Sequence, residues 1–242
     1  MKVLVTGIDG YIGSVLGQLL QEKGHYVKGL DTGFYRSGWL FNEVKRLPET
    51  VSKDIRDISE EDLQGFDALV HLAELSNDPI GRFAPENTFE INHKGSLRLA
   101  KLCKKVGISR FVYTSSCSVY GVGNGETMDE GSPVNPQTAY SECKVLVEKD
   151  VAILADENFS PTFLRNATCY GPSPRMRFDL VLNNLAGLAW TSGKITLKSD
   201  GTPWRPLVHL LDACQAILRV LEAPKEAVHN QIFNVGDTKE NY

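Results

Sequence analysis

Cysteine is scarce in this chain and shows no pattern. Only five of the 242 residues are cysteine, the number is odd, and no two of them form a CxxC pair. A disulfide framework or a zinc site is therefore not expected, and we predict a cytoplasmic protein without a bound metal.

Long apolar runs and a strong charge of one sign are also lacking. No apolar run reaches the ~20 residues that a bilayer crossing needs, and the first one meets Gly7 too early for a signal peptide. The 26 Lys and Arg and 30 Asp and Glu give a formal net charge of −4. This balance disfavours nucleic acid or an anionic membrane as the main partner, and the composition is that of an ordinary globular protein.

Short apolar strands alternate with helical stretches over the first two thirds of the chain. The predicted strands cover residues 2–6, 26–30, 51–54, 68–72, 110–114 and 162–164. The predicted helices cover residues 11–23, 89–106 and 139–158. This alternation predicts an α/β fold, a doubly wound parallel sheet of Rossmann type with helices on both faces.

The pattern changes after Arg165, where loops rich in Pro, Gly and Arg separate less regular elements. The predicted elements there are helices at 178–191 and 211–221 and short strands at 195–197, 207–210 and 232–235. We therefore predict a dinucleotide-binding domain over residues 1–165, to which 231–237 adds a strand. Residues 166–230 are predicted to form a smaller, partial substrate-binding region.

Three glycines follow the first predicted strand and open the first helix. Gly7, Gly10 and Gly13 permit a tight turn and a close approach of the backbone to a phosphate. The helix N-terminus presents N–H groups and the positive end of its dipole to a pyrophosphate. This strand–turn–helix segment, which includes Tyr11 and Ile12, is predicted to bind a dinucleotide.

Acidic residues follow the second and third predicted strands. Asp31 is placed where a carboxylate accepts hydrogen bonds from an adenosine ribose and repels a 2′-phosphate. This favours NAD over NADP, and the nearby Arg36 argues weakly the other way. Asp54 and Ile55 are predicted to contact the adenine, with a plain surface turn as the equal alternative.

Tyr140 and Lys144 are four residues apart at the start of a predicted helix and therefore share one face. A cation beside a phenol favours the phenolate, so we expect Lys144 to lower the pKa of Tyr140 and fit it for acid–base catalysis. The hydroxyl-rich segment 114–118 follows the fifth strand, at the edge where ligands bind in such sheets. A hydroxyl there either holds the substrate oxygen or satisfies the loop backbone.

Together these residues resemble the extended short-chain dehydrogenase/reductase family, in particular its NAD-dependent sugar epimerase/dehydratase branch. The matching segments are Gly7/Gly10/Gly13, Asp31, residues 54–57, His71-Leu72-Ala73, Asn92, Ser116 within residues 115–121, Tyr140/Lys144, Leu164-Arg165, residues 170–172, and Arg205 before Val208-His209. They follow the family's order across almost the whole chain.

The resemblance implies a role for each matched residue. Ser116 and Tyr140 are catalytic, and Lys144 binds the nicotinamide ribose. Arg205 is placed to pair with the diphosphate of a nucleotide-sugar substrate, which suits the bidentate geometry of a guanidinium. Further cofactor contacts are implied for Leu72, Ala73 and Asn92, and further substrate contacts for Ser118 and for Thr168, which stands where many sugar epimerases carry an asparagine.

The chain departs from the family pattern at several positions. Cys117 and Ser118 stand where dehydratases of this branch carry an Asp-Glu pair, which argues against 4,6-dehydration. Glu74 replaces the usual small or neutral residue, and its carboxylate is unfavourable near cofactor phosphates unless it turns away or contacts the substrate. Arg175 and Arg177 lie in an unusually basic segment that either helps to hold a phosphate or forms a solvated loop.

The leading hypothesis is an NAD-dependent epimerase of a nucleotide sugar, an isomerase working through transient hydride transfer to bound NAD and a keto-sugar intermediate. Two alternatives stay open: an oxidoreductase that acts on keto-sugars with the same Ser-Tyr-Lys set, and a non-catalytic NAD-binding module. The resemblance also implies a homodimer formed through the helix that carries Tyr140. Since family members usually continue beyond the equivalent of Tyr242, we expect the usual C-terminal tail to be absent and the substrate site to be incomplete.

Overall fold

The computed structural model describes residues 1–41, 47–76, 78–122, 127–197 and 204–241. The described strands are β1 (Lys2–Thr6), β2 (Tyr26–Asp31), β3 (Glu49–Ser52), β4 (Ala68–His71), β5 (Arg110–Ser116), β6 (Ser160–Asn166), β7 (Thr168–Tyr170), β8 (Pro206–His209), β9 (Gln231–Val235) and β10 (Asp237–Asn241). Seven of them form one sheet in the order β3-β2-β1-β4-β5-β6-β9. All its pairings are parallel, and the chain reverses its direction of progress across the sheet between β1 and β4.

Helices cover both faces of this sheet. The described helices are α1 (Gly13–Glu22), α2 (Glu60–Leu63), α3 (Asp78–Phe83), α4 (Pro85–Thr88), α5 (Ser96–Val106), α6 (Ala139–Ala152), α7 (Val181–Ser192), α8 (Leu210–Glu222) and α9 (Lys225–Val228). A π-helix, Phe89–Gly95, leads directly into α5. No helix of the described residues has the length and apolar character that a membrane crossing requires.

The alternation of side chains along the strands divides the core into two layers. In β5, Val112 points to the layer shared with α1 and α8, whereas Phe111 and Tyr113 point to the layer shared with α5 and α6. Successive residues of a strand face opposite sides, and in β5 both sides are buried. Its continuous apolar run is therefore explained by a central strand covered on both faces.

A second, smaller sheet lies beyond β6. There β8 pairs in parallel with β7 and antiparallel with β10. The neighbouring helix α7 is apolar in composition, but Asn183 is its only fully buried residue. Helix α7 therefore adds little to the core, whereas Cys169 of β7 and Val208 of β8 pack into the core layer shared with α1 and α8.

The structure confirms the predicted parallel sheet and moves the ends of several elements. The helix predicted over residues 139–158 ends at Ala152, and the predicted helix 89–106 begins as a π-helix. The strand predicted at 195–197 is wrong, because these residues pair with none of the described strands and both Ile195 and Leu197 are 60% exposed. Strand β7 was not predicted, since its three residues give too short a pattern to read.

The division of the chain into two parts stays a proposal, although β9 does extend the large sheet by pairing with β6. The homodimer also remains a prediction. Of the apolar residues that α6 offers near Lys144, Val147 is fully buried in the core, whereas Val145 and Leu146 are partly exposed.

Candidate active site

A large cleft opens at the carboxyl edge of the parallel sheet, beside the point where the strand order reverses. Its volume is about 1080 Å³, at the upper end of the range for small-molecule sites. Ligands bind at this position in open α/β sheets. With the exception of Asn92, every predicted site residue lines it: Gly7, Gly10, Tyr11, Ile12, Gly13, Asp31, Asp54, Ile55, Leu72, Ala73, Ser116, Ser118, Tyr140, Lys144, Thr168 and Arg205.

The glycine turn is packed too closely for side chains at two of its positions. A Cβ on Gly7, whose φ is +72°, would lie 2.8 Å from the backbone nitrogen of Ala73, and one on Gly13 would lie 2.2 Å from the carbonyl oxygen of Gly7. Helix α1 begins here with Ile12 as its N-cap, so no side chain caps its first turn, and that turn contains no acidic residue. The first N–H groups and the helix dipole therefore suit a bound pyrophosphate.

Asp31 lies beside this turn, at the end of β2. Its carboxylate accepts the N–H groups of Asp9 at 3.1 Å and Gly33 at 2.9 Å. Arg36, which argued for a 2′-phosphate, donates instead to Asp9 at 3.1 Å and stacks 3.6 Å from the centre of the Trp39 ring. Since a carboxylate has further lone pairs for ribose hydroxyls, the turn and Asp31 together fit NAD.

The Asp54 carboxylate is hydrogen-bonded to the neighbouring Arg56. Its carboxylate accepts from the Arg56 backbone at 2.9 Å and from both ends of the Arg56 guanidinium, at 3.0 and 2.8 Å. These hydrogen bonds hold the pKa of Asp54 below its usual range. Ile55 is buried and supplies an apolar wall.

Asn92 does not face the cleft, which corrects the cofactor contact expected for it. The residue is fully buried in the π-helix. Its amide donates to the Leu75 carbonyl at 2.9 Å and accepts the Leu75 N–H at 2.8 Å. Both ends of the side chain are thus used to fix the segment after β4.

Tyr11 ties the glycine turn to the second region of the molecule. Its phenol donates to the carbonyl of Gly171 at 2.8 Å and accepts from the Asn183 amide at 3.1 Å. Next to it, the hydroxyls of Ser14 and Ser173 lie 3.0 Å apart. Burial raises the pKa of Tyr11 to about 12, so its phenol stays protonated.

Helix α6 presents Tyr140 and Lys144 to the cleft from its first two turns. Thr138 caps the helix by accepting the Ser141 N–H at 3.2 Å, which fixes where the helix begins. The Lys144 Nζ lies 5.2 Å from the centre of the Tyr140 ring. Ser116, at the end of β5, lies close enough to Tyr140 to favour a lower pKa of the phenol. All three residues line the same cleft, and their catalytic roles stay a prediction.

Lys144 is almost fully buried and has partners besides Tyr140. Its ammonium pairs with the carboxylate of Glu74 and donates to the Thr114 carbonyl. Glu74, whose side chain is 4% exposed, also accepts the Tyr113 hydroxyl at 2.5 Å. Glu74 thus turns away from the glycine turn and into the space between β5 and α6.

The expectation of a lowered Tyr140 pKa is wrong for this arrangement. Burial raises the pKa of Tyr140 above its ordinary value, and the Glu74 carboxylate adds to this. Lys144, Arg177 and the Ser116 hydroxyl act in the opposite direction without reversing the shift. The four-residue spacing predicted that Lys144 lies beside Tyr140. It did not predict how deeply Tyr140 is buried or that the Glu74 carboxylate lies nearby.

The Arg177 side chain is held by hydrogen bonds, so the segment around it is not simply a solvated loop. Its guanidinium pairs with Asp179 at 2.6 Å and donates to the hydroxyl and carbonyl of Ser76 at 2.9 and 3.2 Å. It therefore joins the segment after β4 to the segment before α7 across the mouth of the cleft. Its charge is close enough to act on Tyr140.

Sequence reasoning missed Asn166, which ends β6 at the carboxyl edge of the sheet and lines the cleft. Its buried amide oxygen and the buried hydroxyl of Ser118 have no hydrogen-bond partner among the described residues. Buried polar atoms are rarely left unpaired, so both are candidates to contact a ligand. The position of Asn166 at a strand end was the available signal.

With this site in place, comparison with known proteins is informative. The model of the NAD dependent epimerase/dehydratase family matches residues 3–236. The chain belongs to this family of enzymes, whose cofactor is NAD.

Individual relatives narrow the chemistry. The chain is 30% identical to the UDP-glucose 4-epimerase of Corynebacterium glutamicum, over 98% of its own length and 75% of that protein. It resembles the structure of UDP-glucuronic acid 4-epimerase from Bacillus cereus, a complex with UDP-glucuronic acid and NAD, with a TM-score of 0.84, 26% identity and coverage of 100% and 79%. An NAD-dependent NDP-hexosamine 5,6-dehydratase superimposes with a TM-score of 0.87 at 24% identity, covering 100% and 77%, and supports the fold alone.

These comparisons confirm the Rossmann-type fold, the family, the enzymatic class and NAD as the cofactor. The relatives comprise nucleotide-sugar epimerases and dehydratases. The roles of the individual site residues and the particular reaction are proposals.

Proposed function

We propose that this chain is an NAD-dependent epimerase of a nucleotide sugar. The observation that carries the proposal is the meeting of Ser116, Tyr140 and Lys144 in a cleft next to the glycine turn. A phenol with a hydroxyl and an ammonium at its side can take and return the proton of a sugar hydroxyl.

In the proposed reaction, Tyr140 removes the proton from one sugar hydroxyl and later returns it. Ser116 donates a hydrogen bond to the same sugar oxygen throughout, which stabilises the charge that develops on it. Lys144 holds a positive charge beside the phenol and favours its ionised form. When bound by the glycine turn and Asp31, NAD would supply the hydride chemistry: it would accept a hydride from the carbon that bears this hydroxyl and give it back to the opposite face of that carbon. The proton and the hydride are both given back, so the reaction is an isomerisation.

The cofactor would be held by the glycine turn and by Asp31, with Leu72 and Ala73 close to the turn. Arg205 is proposed to pair with the diphosphate of the substrate, and Thr168, Ser118 and Asn166 to contact the sugar nucleotide. Asn92 is proposed to act indirectly, because its amide fixes the segment that carries Leu75.

Epimerisation is favoured over 4,6-dehydration by the chemistry of positions 117 and 118. Elimination of water needs an acid and a base next to the sugar, and burial raises the pKa of the Cys117 thiol above its ordinary value. A neutral thiol and the Ser118 hydroxyl are both weak proton-transfer groups near neutral pH.

The test is to incubate the NAD-loaded chain with a panel of nucleoside-diphosphate sugars and to follow inversion by proton NMR. We expect one or more substrates to equilibrate with an epimer, and the Tyr140→Phe variant to be slower by about a thousandfold or more. Tyr26→Phe is the matched control, because Tyr26 is exposed and distant from the cleft.

Full activity of Tyr140→Phe would contradict the mechanism. Steady NADH consumption with a keto-sugar, without inversion of any nucleotide sugar, would favour the reductase instead. Tight NAD binding without binding or turnover of any sugar nucleotide would favour the non-catalytic module.

A further inference from the structure

Glu74 has no part in the proposed reaction, yet it lies at the centre of the site. It follows β4 by three residues and its carboxylate is almost fully buried. One oxygen pairs with Lys144 and the other accepts from Tyr113 at 2.5 Å. A buried carboxylate is strongly destabilising unless it is paired and hydrogen-bonded, so this arrangement requires both partners.

Glu74 determines where the ammonium of Lys144 lies. Among the described residues, the ammonium reaches two acceptors, the Glu74 carboxylate and the Thr114 carbonyl. These contacts hold it 4.5 Å from the centre of the Tyr113 ring and 5.2 Å from that of Tyr140. A flexible lysine side chain is thereby confined to one place beside the phenol.

The charged groups around Tyr140 come from three different segments. Lys144 acts from the same helix, Glu74 from the end of β4 and Arg177 from the loop before α7. Lys144 and Arg177 favour the phenolate, whereas Glu74 opposes it. Glu148 also acts on Lys144, but it is itself paired with Arg165 at 2.7 Å.

We infer that Glu74 is a positioning residue that fixes Lys144 beside Tyr140 and cancels part of the attraction of the ammonium for a negative phenol. The inference rests on the proposed function in one respect, the assignment of Tyr140 as the acid–base group. With Glu74 ionised, the buried set of Glu74, Lys144 and neutral Tyr140 has no net charge. Ionising the phenol then creates a net negative charge in a buried place, which is unfavourable.

The direct test is a titration of Tyr140 in the unliganded protein. Tyrosines are labelled with ¹³C at Cζ, and the Tyr140 signal is identified by its absence in Tyr140→Phe. In Glu74→Gln, which keeps the shape and removes the charge, we expect the midpoint to fall by about one pH unit or more. If the phenol of the original chain does not titrate below pH 11, a titration of Tyr140 below pH 11 in Glu74→Gln also shows that the midpoint has fallen.

Glu90→Gln is the matched control, since Glu90 also pairs with a lysine, Lys94, but on the exposed surface. It should leave the midpoint unchanged. An unchanged midpoint in folded Glu74→Gln, or a change of equal size in Glu90→Gln, overturns the inference.

A second comparison serves if Glu74→Gln does not fold because Lys144 is left buried without its counter-ion. The double variant Glu74→Gln/Lys144→Met removes both charges together. Because Glu74 is inferred to cancel part of the effect of Lys144, the Tyr140 midpoint of the double variant should rise by less than that of Lys144→Met alone, whereas an equal or larger rise overturns the inference. The titration needs neither NAD nor a sugar nucleotide, so its result is independent of whether epimerisation is found.

In the active enzyme, the same change should be visible in the pH profile. We expect the ascending limb of kcat/KM to move to lower pH in Glu74→Gln by the amount found in the titration. A purely structural role would lower kcat/KM equally at every pH.

Discussion

The large sheet and the region around α7 are built in different ways. All seven residues of β6 are buried, and the largest fully buried side chains include Phe111, Tyr113 and Phe163 on two adjacent strands. In contrast, α7 buries only Asn183, and Trp190 on the same helix is 91% exposed.

This difference separates the two halves of the site. The glycine turn, Asp31 and Ser116 lie at or directly after the ends of core strands, so the core itself fixes them. The loop before α7 is held by polar contacts such as that between Arg177 and Ser76 and by the partly buried Met176 and Leu180, which pack against the core. Rigid strand ends suit the cofactor half, whereas the second half depends more on the side-chain contacts of a loop.

The largest expected effect is a difference in the free energy of unfolding between variants of the two regions. Phe111→Ala should reduce the free energy of unfolding by about 3–5 kcal/mol, because it leaves a cavity in the core. Trp190→Ala should change it by no more than about 0.5 kcal/mol, because the ring is exposed. Urea denaturation of both variants measures the difference, and equal losses would contradict the proposed contrast between the regions.

The next effect concerns the cofactor half alone. In Gly13→Ala the new Cβ would meet the backbone of Gly7 and Ile8, which cannot move away as a side chain could. We expect NAD to bind about a hundredfold more weakly, since a small displacement of a positioning element has effects of this size. Gly38→Ala, with nothing within 4 Å of its Cβ, is the control. Calorimetric titration with NAD decides the matter; comparable affinities for both variants would exclude the turn as the pyrophosphate site.

A smaller effect is expected in the pH dependence of stability, and it concerns the core of the large sheet. His71 is fully buried between the hydroxyls of Thr6 and Ser96, each at 2.7 Å. Burial, with a smaller effect of Lys144, lowers the pKa of His71 from 6.5 to about 3. The unfolded chain therefore binds a proton that the folded chain does not, and stability falls as the pH drops below 6.5.

At pH 5 the expected loss from His71 is about 2 kcal/mol relative to neutral pH. Urea denaturation at pH 7 and pH 5 measures it. His71→Gln should remove this part of the slope, whereas the control His25→Gln, which removes an imidazole paired with Glu222 at 3.2 Å, should retain it. An identical slope in His71→Gln would show that other groups cause the loss.

Much of the fold and part of the site could be predicted from the sequence, because both follow from spacing. Continuous apolar runs marked the central strands, the glycines marked the turn, and the four-residue interval placed Tyr140 and Lys144 on one face. The pairing of Glu74 with Lys144 could not be predicted, because it joins the end of a strand to a helix through side-chain packing. The Asn92 side chain points into the protein because the residue lies in the π-helix, and no residue pattern in the sequence predicted a π-helix there.

The contacts of Tyr11 and Ser14 have a thermodynamic consequence. They join the turn that faces the cofactor to Gly171, Asn183 and Ser173 in the region proposed to face the substrate. A ligand that orders one side of these contacts also orders the other, and coupling of this kind is reciprocal. If NAD strengthens the binding of a sugar nucleotide by some factor, the sugar nucleotide must strengthen the binding of NAD by the same factor. In the proposed reaction, the cofactor would then be held more tightly while a sugar nucleotide occupies the cleft.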